Sequence, residues 1–231
     1  MGVSIVLPVH DAERFVGEAL DSLLAQTLQP DEIVAVDDGS TDGSAAILGG
    51  YPQVRVIHQA NAGCAAARNR GIDAARHDIV AFLDADDLWL PTRLERALAA
   101  LEDATQPDFA ACAQENFLTP GLAVIPGWLD PAMLTNAQHG FSTNTLVVRR
   151  SAFARVGLFD PSRRVLSDSE WLVRALDAGL TYVHIDEPLV RRRIHERNIT
   201  GTVRGTREHG IAMAEILHAS LARRRAAGKG G

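Results

Sequence analysis

Cysteine is nearly absent from this chain: 231 residues hold two, and aromatic residues make up only 5%. Cys64 and Cys112 stand in no CxxC pair and beside no pair of histidines. That excludes a disulfide framework and a zinc-ribbon type of site, and leaves two small apolar side chains in a reducing compartment. A basic excess is lacking too, since the net charge is −6. A surface that tracks phosphates needs the opposite sign, so nucleic acid is not expected as a partner. No run approaches the roughly 18 apolar residues of a membrane span. The chain opens directly on Val3-Ser4-Ile5-Val6-Leu7-Pro8, with no basic segment leading into an apolar one, which predicts no signal peptide and a cytoplasmic location.

What is present suits one large domain. Hydrophobic residues make up 46% of the chain, enough for a sizeable core. Strand and helix patterns alternate through the first half. Strands are expected at Val3–Pro8, Glu32–Asp37, Val54–Gln59 and Ile79–Asp84, and helices around Phe15–Leu24, Ser44–Leu48, Ala65–Ala75 and Thr92–Asp103. Such alternation predicts an α/β fold with a mostly parallel sheet flanked by helices. Gln106-Pro107-Asp108 marks a boundary between two half-domains, 1–105 and 106–225, ahead of a frayed tail at 226–231. In the second half, strands are expected at Phe109–Ala113, Asn144–Arg149 and Thr181–Ile185, and helices at Ser151–Val156, Ser169–Ala178 and Gly205–Arg225. Thr119–Gly140 reads as a surface loop that meets a substrate. On the last helix Met213, Ile216, Leu217, Ser220 and Leu221 form one stripe, which predicts core packing. The basic Arg223–Arg225 allows peripheral membrane contact, though cations at a helix C-terminus are favourable by themselves.

The strongest chemical signal is Ile79-Val80-Ala81-Phe82-Leu83 running into Asp84-Ala85-Asp86-Asp87. Open α/β sheets bind ligands just beyond the carboxyl ends of their strands. Carboxylates crowded there repel: at roughly 4 Å a pair costs about 1 kcal/mol in water and about 4 at an effective dielectric of 20. A hard divalent cation, Mn²⁺ or Mg²⁺, would relieve that cost. The competing reading is a solvated acidic turn before the next helix. A second acidic tip, Val36-Asp37-Asp38-Gly39-Ser40-Thr41-Asp42, can accept from a nucleobase or a ribose, or else cap the following helix. The small-residue segment Asn61–Gly71 carries Arg68, a donor fork suited to a carboxylate or a phosphate.

In this order, Val3–Asp11, Ala35–Asp42, Asn61–Ile72, Phe82–Leu94, Thr145–Asp160 and Arg193–Thr200 resemble the inverting family 2 glycosyltransferases of the GT-A fold, over Val3 to Gly201. The resemblance implies a nucleoside-diphosphate-sugar donor, UDP-sugar favoured, and an acceptor of unknown identity (small molecule, glycan or peptide). Pro8, His10, Asp37 or Asp38, Arg68, Asp84, Asp86 and His195 match donor-binding positions. Asp84 and Asp86 match the DXD-type motif and are expected, with His195, as metal ligands, Asp86 making the direct contact. Ser167-Asp168-Ser169-Glu170-Trp171 fits the register of the family's base, which places Asp168 there; an N-cap role for Asp168, or Glu170 as base, are the rivals. Ser142, Thr143, Asn144 and Trp171 are expected to border the acceptor. Two departures stand out: His10-Asp11 where the family usually shows Tyr-Asn, and Ser167 where it usually shows Glu. A nucleotidyltransferase, an aspartate-nucleophile hydrolase and a non-catalytic donor-binding module are the competing functions. The first should carry a glycine-rich basic loop after the first strand, which Pro8-Val9-His10-Asp11 is not.

Overall fold

Apolar residues that alternate sides along a strand force a sheet covered on both faces, and the computed structural model has that form. It describes residues 1–103, 105–122, 125–198 and 206–227. The strands are β1 (Val3–Val9), β2 (Glu32–Asp37), β3 (Val54–His58), β4 (Ile79–Phe82), β5 (Leu88–Trp89), β6 (Phe109–Leu118), β7 (Leu146–Arg149) and β8 (Tyr182–Ile194). They make one eight-stranded sheet in the order β3-β2-β1-β4-β7-β6-β8-β5. β3, β2, β1 and β4 run parallel, as do β6 and β8, while β7 and β5 are antiparallel to their neighbours. β5, from the first half of the chain, pairs with β8, from the second, so the two halves share one sheet.

The helices are α1 (Val16–Leu24), α2 (Ser44–Gly49), α3 (Cys64–Ala74), α4 (Arg93–Leu101), α5 (Arg150–Val156), α6 (Ser167–Asp177) and α7 (Arg207–Ala227). On β1 the side chains of Val3, Ile5, Leu7 and Val9 meet α1 and α4 on one face, while Val6 turns to α3 on the other. Phe82, Phe109, Phe153, Phe159 and Trp171 fill the second face with edge-on and tilted ring contacts. The approach of α3 to β1 is tight because Gly71 has no side chain: a Cβ there would lie 2.3 Å from Val6 Cγ1. Gly71→Val is therefore expected to cost about 1–3 kcal/mol of stability by overpacking. Gly210→Ala, where a Cβ meets nothing within 4 Å, should instead hold or raise the unfolding midpoint. Thermal unfolding of the two variants checks both.

Several elements differ from the sequence-based expectation. β8 runs to Ile194 rather than stopping at Ile185, because a bulge opposite Cys112–Ala113 absorbs Asp186 and Glu187 and pairing resumes at Pro188. β6 extends through Gln114, Glu115 and Asn116 to Leu118 beside it. Thr143–Thr145 is a 3-10 turn ahead of β7, not strand. α6 begins at Ser167, so Asp168 lies inside its first turn and is not the N-cap; Leu166 holds that position. The stripe on α7 divides: Ile216 and Ser220 are buried, whereas Leu217 and Leu221 are exposed. At its basic end Arg223 and Arg224 both pair with Asp177 of α6. α7 reaches Ala227, so the start of the expected tail is helical. Residues 228–231, Ile199–Thr200 of the last motif, and the expected helix start at Gly205 lie outside the described residues. No helix among the described residues is long and apolar enough to cross a membrane.

Candidate active site

The carboxyl ends of β1, β2 and β4 open together into a cleft of about 1150 Å³, which is lined in part by Pro8, His10, Asp38, Arg68, Asp84 and Asp86. Ordinary ligand pockets run to about 300–1000 Å³, so this one has room for two reactants. Ser167 and His195 line it from the second half of the chain. Asp37 does not line it, and that separates the two candidates for the donor's base.

Both aspartates at the β2 tip are buried and build the wall. Asp37 accepts from the Ser40 N–H at 3.0 Å and meets His58 Nδ1 at 2.9 Å. Burial works to raise its pKa, but hydrogen bonds from Ser40 and His58 outweigh that and hold it below the usual carboxylate value. Asp38 accepts from the Ala62 and Gly63 N–H groups at 2.8 and 2.9 Å, fixing the entry to α3. Gly39, at φ +72°, lets the turn pass Asn61, whose backbone nitrogen would lie 2.8 Å from a Cβ. His10 stands at the exposed rim, with its Nε2 3.0 Å from Asn61 Nδ2.

Arg68, buried on α3, donates to Asp84 at 2.6 Å. Burial alone would lower its pKa; Cys64, Asp84 and Asp168 beside it outweigh that and keep it above the ordinary range. Its Nε has no hydrogen-bond partner among the described residues.

The acidic turn divides its carboxylates among three jobs. Asp84 is taken by Arg68. Asp87 is buried, accepting from the Arg193 N–H at 2.8 Å and from Asn144 Nδ2. Burial, with Asp86 and Asp84 close by, pushes its carboxyl up. Asp86 faces the cleft: its Oδ2 lies 2.9 Å from His195 Nε2, and its Oδ1 has no hydrogen-bond partner among the described residues. His195 Nδ1 accepts from the Arg197 N–H at 3.1 Å, which puts the imidazole proton on Nε2. In this arrangement His195 donates to Asp86. Phe15 packs against the same ring at 4.7 Å and holds it in place. Asp84, Asp86 and His195 do not form a compact three-ligand cluster among the described residues.

Asp168 projects from the first turn of α6, half-buried and near enough to Arg68 to stabilise its charge. Its Oδ1 accepts from the Ser169 N–H at 2.8 Å, and Oδ2 has no hydrogen-bond partner among the described residues. The turn that presents it is strained, with Leu166 at φ +59°, a conformation that costs a branched-chain residue roughly 1–2 kcal/mol. Glu170, the rival base, is bound to Arg174 at 2.7 Å, and Arg174 in turn holds the Leu158 carbonyl.

The residues expected to border an acceptor sit elsewhere. Trp171 is fully buried, donating its indole N–H to the Gly157 carbonyl at 2.9 Å, and Thr143 and Asn144 are each 1% exposed. They brace the site from behind: Asn144 supports Asp87, and Ser142 donates to Gln114 at 3.0 Å. The residue that sequence reasoning missed is Arg193. It donates to the Asp86 carbonyl at 2.9 Å and to Glu18 at 2.6 Å, and its own N–H holds Asp87, so one buried cation staples the acidic turn to β8 and α1. Asn198 adds a second clamp by accepting from the His195 N–H at 2.7 Å.

Comparison with known proteins bears on this geometry. Residues 4–160 match the profile of Glycosyl transferase family 2. EpsJ, an uncharacterised glycosyltransferase of Bacillus subtilis, is 33% identical over 213 residues, covering 80% of this chain and 61% of EpsJ. EpsH of the same organism, also named as a glycosyltransferase, is 32% identical over 95% of this chain and 69% of its own length. The chain thus spans about three fifths of EpsJ. Among solved structures, S. aureus TarS 1-349 in complex with UDP-GlcNAc superimposes over 96% of this chain and 66% of that one, with TM-score 0.75 and 20% identity. The mannosyltransferase PcManGT of Pyrobaculum calidifontis, in complex with GDP-Man and Mn²⁺, gives TM-score 0.68 at 21% identity, over 85% of this chain and 58% of that one. At these identities the structures share the fold.

Proposed function

The chain belongs to glycosyl transferase family 2, and we propose that it moves a sugar from a nucleoside-diphosphate donor to an acceptor hydroxyl by a single in-line displacement with inversion. The observation that carries this reading is the meeting in one cleft of His10, Asp38, Arg68 and Asp86 with Ser167 at the α6 N-terminus. Asp168, the next residue, does not itself line the cleft but lies close enough to Arg68 to stabilise its charge.

Each group has a part to play. The His10 ring at the rim supplies a stacking surface for the base, and the β2 tip supplies acceptors for its N–H or for ribose hydroxyls. Arg68, buried and held charged, offers donors to the diphosphate. Asp168 takes the proton from the acceptor hydroxyl as its oxygen attacks the anomeric carbon and the nucleoside diphosphate leaves. Positioning of both reactants supplies much of the remaining rate.

The residues present fit a hard divalent cation, Mn²⁺ or Mg²⁺. Asp86 keeps one oxygen free toward the cleft while His195 fixes the other, and such ions are commonly held by one or two carboxylates with substrate phosphates and waters completing the shell. When bound, the ion neutralises charge developing on the departing diphosphate. A uridine donor is favoured, in keeping with the UDP-GlcNAc bound by TarS, while the GDP-Man bound by PcManGT keeps guanosine in the test set.

The test is thermal unfolding with UDP, GDP and dTDP, each with and without Mn²⁺. At about 100-fold excess over Kd, binding adds about 2.7 kcal/mol, which for a chain of this size raises the midpoint by roughly 5–10 °C. The expected result is a Mn²⁺-dependent rise for one base. No rise with any nucleotide would refute the donor site, and a product of retained anomeric configuration would refute the single displacement.

A further inference from the structure

A second set of metal-ligating side chains gathers away from the cleft. Cys112 lies opposite Ile185 and Ala113 opposite Pro188, so Asp186 and Glu187 leave the ladder as a bulge in β8. Bulges re-aim side chains, and here Asp186 turns back to His184, bringing its Oδ1 to 3.2 Å from His184 Nδ1. The third group comes from the β6–β7 connection. Gln138 and Gln114 exchange backbone hydrogen bonds of 2.7 and 3.0 Å, and the next residue, His139, places its Nδ1 3.9 Å from the same Asp186 oxygen. The two imidazole rings are tilted by 45° with centroids 5.6 Å apart. One ligand atom from each residue lies within 4.8 Å of the others, and no other trio of His, Cys, Asp or Glu among the described residues converges this closely.

We propose that His139, His184 and Asp186 bind a divalent transition-metal ion, Zn²⁺ foremost, at a site separate from the cleft. Two imidazoles and one carboxylate suit Zn²⁺, whereas Mg²⁺ requires an oxygen shell. Bonds of about 2.0–2.1 Å need ligand atoms within about 4 Å of one another, so a small closure is required. The side chains of His139 and Asp186 are 55% and 91% exposed and can supply it by rotation. His184 is the fixed member, at 20% exposure and with Phe141 edge-on at 6.0 Å. Three protein ligands leave a position for water. The site is distal: His184 precedes His195 by eleven positions, on the order of 30 Å of strand. An ion here would tie the β6–β7 connection to β8, just ahead of the Ser142–Asn144 turn that braces Asp87.

The test is calorimetric titration of Zn²⁺ into the untagged chain, with no nucleotide present. Wild type should bind one equivalent that His139→Ala and Asp186→Ala weaken by more than tenfold, because loss of even an outer partner of a metal ligand costs 10–100-fold. Both residues are exposed, so the variants should keep the wild-type unfolding midpoint without metal. Asp86→Ala should retain the equivalent, and Mg²⁺ should not displace it. At about 100-fold excess over Kd, Zn²⁺ should raise the wild-type midpoint by roughly 5–10 °C and leave that of His139→Ala in place. Unchanged Zn²⁺ affinity in both alanine variants, or displacement by equimolar Mg²⁺, overturns the proposal. Failure of nucleotides to bind the cleft would leave it untouched.

Discussion

Asp168→Asn is expected to lower kcat for sugar transfer by about 10²–10⁴-fold while the nucleotide-dependent rise in unfolding midpoint persists. The amide keeps the shape of the carboxylate and can still accept from the Ser169 N–H with its oxygen. What it loses is the second, unpartnered oxygen as a proton acceptor, and general-base assistance is commonly worth that factor. The start of α6 suits a negative charge, because unsatisfied N–H groups of the first turn point toward it. Arg68 lies close enough to feel the same carboxylate, so the variant should also relax the arginine's charge environment without removing its bond to Asp84. Glu170→Gln is the control. One of its oxygens is bound to Arg174 and the other is buried with no hydrogen-bond partner among the described residues, so stability should fall and kcat should hold. Steady-state kinetics on both variants, with thermal shifts alongside, separates the roles. Wild-type turnover in Asp168→Asn would take the base away from this residue.

The parallel half of the fold and the place of the candidate site at its strand ends could be read from sequence because their signals are local. Ile79–Leu83 is an unbroken apolar run, and an α/β sheet places whatever follows such a strand at its ligand-binding edge. The reading failed where partners are distant in the chain. Arg193 drew no role from its sequence; it is 3% exposed because its partners are Glu18, Asp86 and Asp87, all more than a hundred residues away. β8 looked finished at Ile185 because Asp186, Glu187 and Pro188 break the alternation, and only pairing with β6 shows that a bulge absorbs Asp186 and Glu187 and that the ladder resumes at Pro188. Trp171, expected at an acceptor, satisfies its indole N–H on the Gly157 carbonyl inside the aromatic cluster. For His195 the position was legible and the proton was not, because the backbone N–H of Arg197 sets the tautomer.

Asp86→Ala is the second substitution with a large expected effect. The Mn²⁺-dependent part of the nucleotide-induced midpoint shift should vanish, and kcat/KM should fall by about 10³-fold or more, since several kcal/mol of charge stabilisation at tenfold per 1.36 kcal/mol reaches that range. The size follows from the absence of a substitute. Asp84 would have to leave Arg68, and Asp87 would have to leave the Arg193 N–H and Asn144 and emerge from burial. His195→Ala, acting through Asp86, should cost only 10–100-fold. The fold should survive, because Arg193 holds the turn through the backbone carbonyl of residue 86 rather than its side chain. Removing one of three crowded acids also relieves repulsion, so the nucleotide-free midpoint should hold or rise. Thermal unfolding with and without Mn²⁺ reads both midpoints, and steady-state kinetics on the same preparation reads kcat/KM. A Mn²⁺-dependent shift that survives in Asp86→Ala would move the cation to Asp84, and Arg68 would then have to give up its 2.6 Å bond when the donor binds.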